Sequence, residues 1–258
     1  MITTIEKWKI KKTNIGSHDE MKQYEAVIKV MKTNGGFATL GHLYQNVLKI
    51  PNVDWETKTP FASMRRIVQT RPEIFKIRPG LWALKEYKDQ LPVELKPQAS
   101  KHAKDTYSHT YYQGLLLELG KLNNFETFVP NQDKNKMFLG KTKLGKIASI
   151  NEIYKFSYDV FISQAKTVDV IWFNERKMPY SLFEIEHSTN IKNSLLKFVE
   201  LQDFRTKMFI VADDARQDEF KKSVDMTAFK DVRKYVEFLS YDELSNQHSQ
   251  TYAAKIKI

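Results

Sequence analysis

The chain has 258 residues, 41% of them hydrophobic and 12% aromatic, with 41 Lys and Arg against 31 Asp and Glu and no cysteine. That length and apolar content suit a folded chain of two domains and exclude a disordered one. The absence of cysteine excludes a disulfide frame and a thiolate metal site and fits a reducing cytoplasm.

No apolar run approaches the roughly 18 residues of a membrane-spanning helix. "MITTIEKWKIKK" lacks the apolar core of a signal peptide. The net charge of +10 favours a polyanionic partner, nucleic acid first. Most of the excess lies in residues 1–90, which hold 16 Lys and Arg against 9 Asp and Glu.

In chain order, Tyr24, Val27, Ile28 and Met31 recur at helical spacing within residues 20–34, and Gly35-Gly36 stops that helix. "FATLGHLYQNVLKI" predicts a short extended piece and then a helix over about 40–49. Pro60 suits the first turn of a third helix, "FASMRRIVQT". "PEIFKIRPGLWALKEY" predicts two strands around a turn at Arg78-Pro79-Gly80. This order is that of a winged helix-turn-helix. Residues 86–105 are polar, with two prolines and little periodicity, and predict a linker. The domains expected are therefore 1–90 and 106–258, joined by 91–105.

The second domain opens on a helix containing "YYQGLLLELG", then a strand and turn in "FETFVPNQDK". Residues 136–160 show no clear pattern. "TVDVIWFNERK" and "YSLFEIEHS" predict strands. Ile191, Leu195, Phe198 and Leu201 mark a helix, and "KMFIVADDA" a buried strand. "RQDEFKKSV" and "TAFKDVRKY" predict helices, and "VEFLSYDEL" a strand running into a last helix. The class expected is α/β, a mixed sheet with flanking helices.

In "YSLFEIEHS", Glu184 and Glu186 stand two apart on a strand and point to one face. Asp169 lies one hairpin earlier, so adjacent strands bring all three carboxylates to one edge. Such a group is repulsive unless a divalent cation intervenes, and Mg²⁺ prefers these hard oxygen ligands. A bound Mg²⁺ activates water and stabilises charge on a phosphodiester undergoing hydrolysis. The alternative is that the three are solvated residues at a strand edge.

Asp169 followed across a hairpin by Glu184-Ile185-Glu186 resembles the D…(D/E)-x-K core of the PD-(D/E)XK restriction-endonuclease-like nucleases, over about 107–245. The helices around "YYQGLLLELG" and "NIKNSLLKFVELQ" sit where that fold has them. Two positions depart from the pattern: Val168 stands where proline is common, and Glu186 replaces the usual lysine. The resemblance implies a restriction-endonuclease-like fold with one or two Mg²⁺ per site. Asp169, Glu184 and the Ile185 carbonyl would be metal ligands. Glu186 would bind metal or orient the attacking water, and the general base is left open. Gln113, one helical turn after His109, and His187 would be neighbours of the site.

In the front region, "TKTPFASMRRIVQ" with "FKIRPGLWAL" resembles the HARE-HTH type of winged helix, over about 20–86. Such domains are expected to bind DNA and to sense base modification. Phe61, Met64, Ile67 and Val68 form a core stripe that leaves Ser63, Arg65, Arg66 and Gln69 outward. Arginine and glutamine read guanine and adenine edges. Lys76 and Arg78, near the hairpin turn, would reach phosphate or the minor groove. The reading that follows is a Mg²⁺-dependent endonuclease of restriction type, cutting double-stranded DNA in the cytoplasm as a homodimer and sensitive to modification. Two alternatives are a DNA-binding regulator whose nuclease fold is inactive and a protein-interaction adaptor.

Overall fold

A computed structural model describes residues 21–55, 58–96, 100–204 and 206–256. Residues 1–20 of the expected front domain and 97–99 of the expected linker lie outside the described residues.

The front region opens with α1 (Gln23–Thr33), whose Ala26, Val27, Val30 and Met31 are buried. At its start the Glu25 carboxylate accepts from the Lys22 N–H at 2.9 Å, which fills one of the free donors of the first turn. Gly35 and Gly36, both at positive φ, turn the chain into β1 (Phe37–Thr39). Thr39 then caps α2 (Leu40–Val47), accepting from the His42 N–H at 3.2 Å. Pro60 opens α3 (Pro60–Thr70), which buries Met64 and Val68. The hairpin of β2 (Ile74–Arg78) and β3 (Leu81–Leu84) turns at Pro79-Gly80, with Gly80 at φ +76°. β1 adds to β3, so the three strands form one antiparallel sheet in the order β1-β3-β2.

The helix of the second region, α4, runs Lys101–Leu122 and so begins inside the stretch expected as linker. From Tyr111 to Leu117 every residue is buried, because the helix is covered on all sides. β4 (Glu126–Phe128) follows. The segment without a clear pattern holds a two-stranded ribbon, β5 (Met137–Phe138) and β6 (Thr142–Lys143), then α5 (Leu144–Ile147) and α6 (Asp159–Ala165). β7 (Val170–Phe173), β8 (Pro179–Glu186), α7 (Ile191–Val199), β9 (Lys207–Ala212), α8 (Gln217–Val224), β10 (Val236–Ser240) and α9 (Tyr241–Lys255) complete the chain. "TAFKDVRKY" forms two 3₁₀ turns, Thr227–Phe229 and Arg233–Tyr235, in place of the expected helix. Its buried residues, Phe229 and Val232, stand three apart, the repeat of a 3₁₀ turn.

The main sheet has the order β10-β9-β8-β7-β4. β8 is parallel to β9 and antiparallel to β7, so the sheet is mixed and the class is α/β. One face packs Val170, Trp172, Phe183 and Ile185 against Tyr112 and Leu115 of α4 and Leu244 of α9. The other packs Ile171, Phe173, Leu182 and Ile210 against Leu195 and Phe198 of α7 and Phe220 of α8. Phe37, Leu81 and Ala83 of the front region join the α4 core. Tyr252 of α9 reaches α2, where a Cβ on Gly41 would lie 2.5 Å from its ring. The two regions are thus held together by packed side chains.

Candidate active site

The strand pairing gathers the carboxylates. Asp169 immediately precedes β7, and Val170 pairs with Phe183, the neighbour of Glu184. The Ile185 N–H donates to Asp169 Oδ2 at 2.8 Å, which ties the two strands at this point. Period-2 alternation sends Phe183 and Ile185 to the α4 face and Leu182, Glu184 and Glu186 to the α7 side. Asp169, Glu184 and Glu186 are only 8, 2 and 4% exposed, so they are not solvated strand-edge residues. Burying three carboxylates is costly, and each has specific partners.

On the α7 side, Lys197 Nζ donates to both oxygens of Glu184, at 3.0 and 2.8 Å, and to the Thr167 carbonyl at 3.1 Å. Ser194 Oγ bridges Glu184 and Glu186, and Thr189 Oγ1 also donates to Glu186. On the α4 side, His109 Nε2 lies 3.4 Å from Asp169 Oδ1. Gln113 Nε2 donates to Asp133 Oδ2 at 2.7 Å and to the Asp169 carbonyl at 3.2 Å. Lys136 Nζ meets the other Asp133 oxygen at 2.6 Å.

The electrostatics differ between the carboxylates. Burial pushes Asp169 upward, but His109, the Ile185 N–H and Lys197 outweigh it and hold its carboxyl below the usual range. Glu184 goes the other way: burial and the charge of Asp169 push it well up, and Lys197 and Ser194 only partly offset this. Burial opposes the charge on Lys197, yet Glu184, with Asp169 and Glu186 behind it, raises its pKa. Burial also opposes the charge on His109, and Asp169 more than restores it.

The donor set fits a hard divalent cation. Ligand atoms of His109, Asp133 and Asp169 all lie within 4.8 Å of one another. Gln113 is fully buried, and its Oε1 is an acceptor without a hydrogen-bond partner. Oxygen-rich groupings with an unfilled acceptor are what Mg²⁺- or Mn²⁺-type ions take.

Of the residues singled out in the sequence, Asp169, Glu184, Glu186, Ile185 and Gln113 come together here. His187 does not join them. It lies on the α4 side, with Nε2 3.1 Å from Asp105 and Nδ1 3.4 Å from the Tyr241 hydroxyl, and burial lowers its pKa. Asp133, Ser194 and Lys197 were not anticipated. Ser194 and Lys197 flank the apolar stripe of α7 three residues apart, so a helical projection holds a signal for them. Asp133 sits in a turn, where no periodicity marks it.

The six basic or polar residues expected at DNA are placed differently. Arg66 and Gln69 are exposed on α3, and Ser63 is half-buried. Arg65 Nη2 reaches Ser249 Oγ of α9 at 3.4 Å. Lys76 Nζ pairs with Asp242 of α9 at 3.4 Å. Arg78 donates to Ser108 Oγ at 3.3 Å and to the Glu94 carbonyl at 3.4 Å, with its guanidinium 5.3 Å from the Tyr111 ring centre. These three are turned toward the second region.

A mixed sheet that carries buried carboxylates on two adjacent strands, between flanking helices, is compatible with a nuclease fold. Residues 90–257 match the family described as the Type II restriction enzyme NmeDI C-terminal domain, and the chain belongs to that family. It is 26% identical over 147 residues to the "Type II restriction enzyme NmeDI" of Neisseria meningitidis serogroup C. That match covers 53% of this chain and 42% of the relative. No solved structure matches. Among the described residues, no helix is long and apolar enough to cross a membrane.

Proposed function

We propose that the chain is a Mg²⁺-dependent endonuclease of type II restriction kind, of the PD-(D/E)XK class with a D…ExE site. The observation that carries this reading is the burial of Asp169, Glu184 and Glu186 around one strand pair, with His109 and Asp133 beside Asp169 in a grouping suited to a divalent cation. Asp169, Glu184 and the Ile185 carbonyl would hold the metal, with one or two ions per site. A metal bound there supplies Lewis-acid stabilisation of the scissile phosphate and a water of lowered pKa. Glu186, kept in place by Ser194 and Thr189, orients the attacking water. Lys197 offsets the negative charge of the group from the helix behind it.

We assign the front region as a winged helix of the HARE-HTH type that holds duplex DNA and reads its modification. Arg66, Gln69 and Ser63 on α3 face the bases, and Arg65, Lys76 and Arg78 fix the orientation of α3 to the nuclease region. A cleft of about 760 Å³, lined by Lys192, Lys222 and an Arg216 paired with Glu219 at 2.9 Å, offers the backbone a seat with a net positive charge. Arg216 Nη1 donates to the Glu186 carbonyl at 2.9 Å and so links that seat to the carboxylates. Cutting both strands calls for two sites, hence a homodimer on DNA, in the cytoplasm with its substrate.

One experiment tests this. The protein is incubated with Mg²⁺ and two plasmid preparations, methylated and unmethylated, beside an Asp169→Ala control checked for folding by circular dichroism. Discrete bands from the wild type alone support the endonuclease, and the preferred plasmid shows whether modification is read. Equal cleavage by the folded control sinks it. A second reading, a DNA-binding regulator with an inactive site, is favoured by one contact: Lys197 already occupies both oxygens of Glu184. It predicts duplex binding without metal-dependent nicking.

A further inference from the structure

The two sides of Asp169 differ in whether their acceptors are filled. Glu184 and Glu186 are met by an ammonium and two hydroxyls. On the α4 side, the buried amide of Gln113 gives its N–H to Asp133 and the Asp169 carbonyl while Oε1 has no partner. An acceptor buried without a partner is destabilising, and a bound cation is a partner that relieves it. Asp133, 2% exposed, sits against that amide, and His109 Nε2 adds an imidazole nitrogen to the same grouping. Two carboxylates, an imidazole nitrogen and an amide oxygen give a divalent ion four ligands, and Lys136, 2.6 Å from Asp133 Oδ1, offsets one of the two negative charges.

We propose that Asp169, Asp133, His109 and Gln113 Oε1 form a divalent-cation site on the α4 side of the sheet that prefers Mn²⁺-type ions to Mg²⁺. Magnesium favours an all-oxygen shell and binds imidazole poorly, whereas first-row transition ions accept it well. α4 supplies His109 and Gln113 one helical turn apart, so both ligands come from one rigid face. The turn before β5 brings Asp133 to them, and the start of β7 brings Asp169. Asp169 is shared with the proposed nuclease site, and the inference rests on that reading only for the use of the ion, not for its binding.

The test reads binding and not cleavage. The full chain is stripped of metal with a chelator and titrated without DNA. Mn²⁺ uptake is followed by loss of the free-ion electron paramagnetic resonance signal, and Mg²⁺ by calorimetry. The expected result is tighter binding of Mn²⁺ than of Mg²⁺. His109→Gln and Asp133→Asn should each weaken Mn²⁺ binding by about 10- to 100-fold, while Glu237→Gln, at an exposed position of β10, leaves it within about twofold. Circular dichroism and thermal melting confirm that each variant is folded, and Gln113→Leu, which removes the unfilled acceptor, serves where one is not. Mn²⁺ affinity unchanged in folded His109→Gln and Asp133→Asn overturns the site, as does tighter binding of Mg²⁺. Mn²⁺ binding with that mutational pattern but no DNA cleavage leaves the site standing and removes only the nuclease reading.

Discussion

The two sides of β8 handle buried charge in opposite ways. On the α7 side, Glu184 and Glu186 lie within hydrogen-bonding reach of Lys197, Ser194 and Thr189, and the protein itself satisfies them. On the α4 side, Asp169 and Asp133 have an imidazole, a surface lysine and an amide whose oxygen is left over. A buried pair can fill its hydrogen bonds and still be short of positive charge, whereas an acceptor can go unfilled where the charges are nearer balance. The α7 side fills its acceptors yet leaves Glu184 well above the usual carboxylate range, whereas the α4 side holds Asp169 below it and leaves one amide oxygen unfilled.

Asp169 belongs to both sides, and its loss carries the largest effect. Asp169→Asn should lower cleavage about a thousandfold or more while duplex affinity in filter binding stays within about twofold. Cleavage within tenfold of wild type would separate Asp169 from the chemistry. Next comes Lys197→Met, which strips the counter-charge from Glu184 alone. Lys197 is partly exposed, so we expect a loss of about 1–3 kcal/mol in urea denaturation at pH 8. The loss should shrink at pH 5. The folded-state pKa of Glu184 is raised, so its contribution favours the fold at low pH and is lost as pH rises through that raised value. A protonated Glu184 has no charge for Lys197 to neutralise. Equal losses at both pH values would mean that Glu184 is not the charge Lys197 answers.

Two smaller effects sharpen the same contrast. A divalent cation should raise the melting temperature of the metal-free protein by a few degrees at pH 8 and by less at pH 5, where His109, its pKa raised by Asp169, holds a proton in place of the ion. A cation-independent melting curve at pH 8 would mean that the α4 side needs no ion. The smallest effect is expected at α3. Arg66→Ala should weaken duplex binding several-fold and reduce the slope of log affinity against log salt by about one. Arg78→Ala, whose guanidinium is held by Ser108, Glu94 and Tyr111, should instead lower the melting temperature and leave that slope unchanged.

Much of the α/β framework was legible from local pattern. The alternation in "YSLFEIEHS" marks β8 and places both glutamates on one face, as observed. The stripe of Ile191, Leu195 and Phe198 marks α7, and all three are buried. The ribbon of β5 and β6 was not legible, because two-residue strands carry no period and their turn depends on positive φ at Leu139 and Gly140. The 3₁₀ turns after α8 misled for a related reason: a spacing of three over nine residues fits either helix.

By itself the sequence determined the period of each strand and helix, the caps and turns between them, and the placing of Asp169 one hairpin ahead of Glu184 and Glu186. These follow from interactions between residues near in the chain. Only the tertiary structure decided which cation each carboxylate meets, that Asp133 and His109 close on Asp169, and that Arg65, Lys76 and Arg78 turn inward while Arg66 stays in solvent. Those outcomes depend on Coulomb energies and desolvation between groups far apart in sequence, which are set by how the sheet and its helices pack.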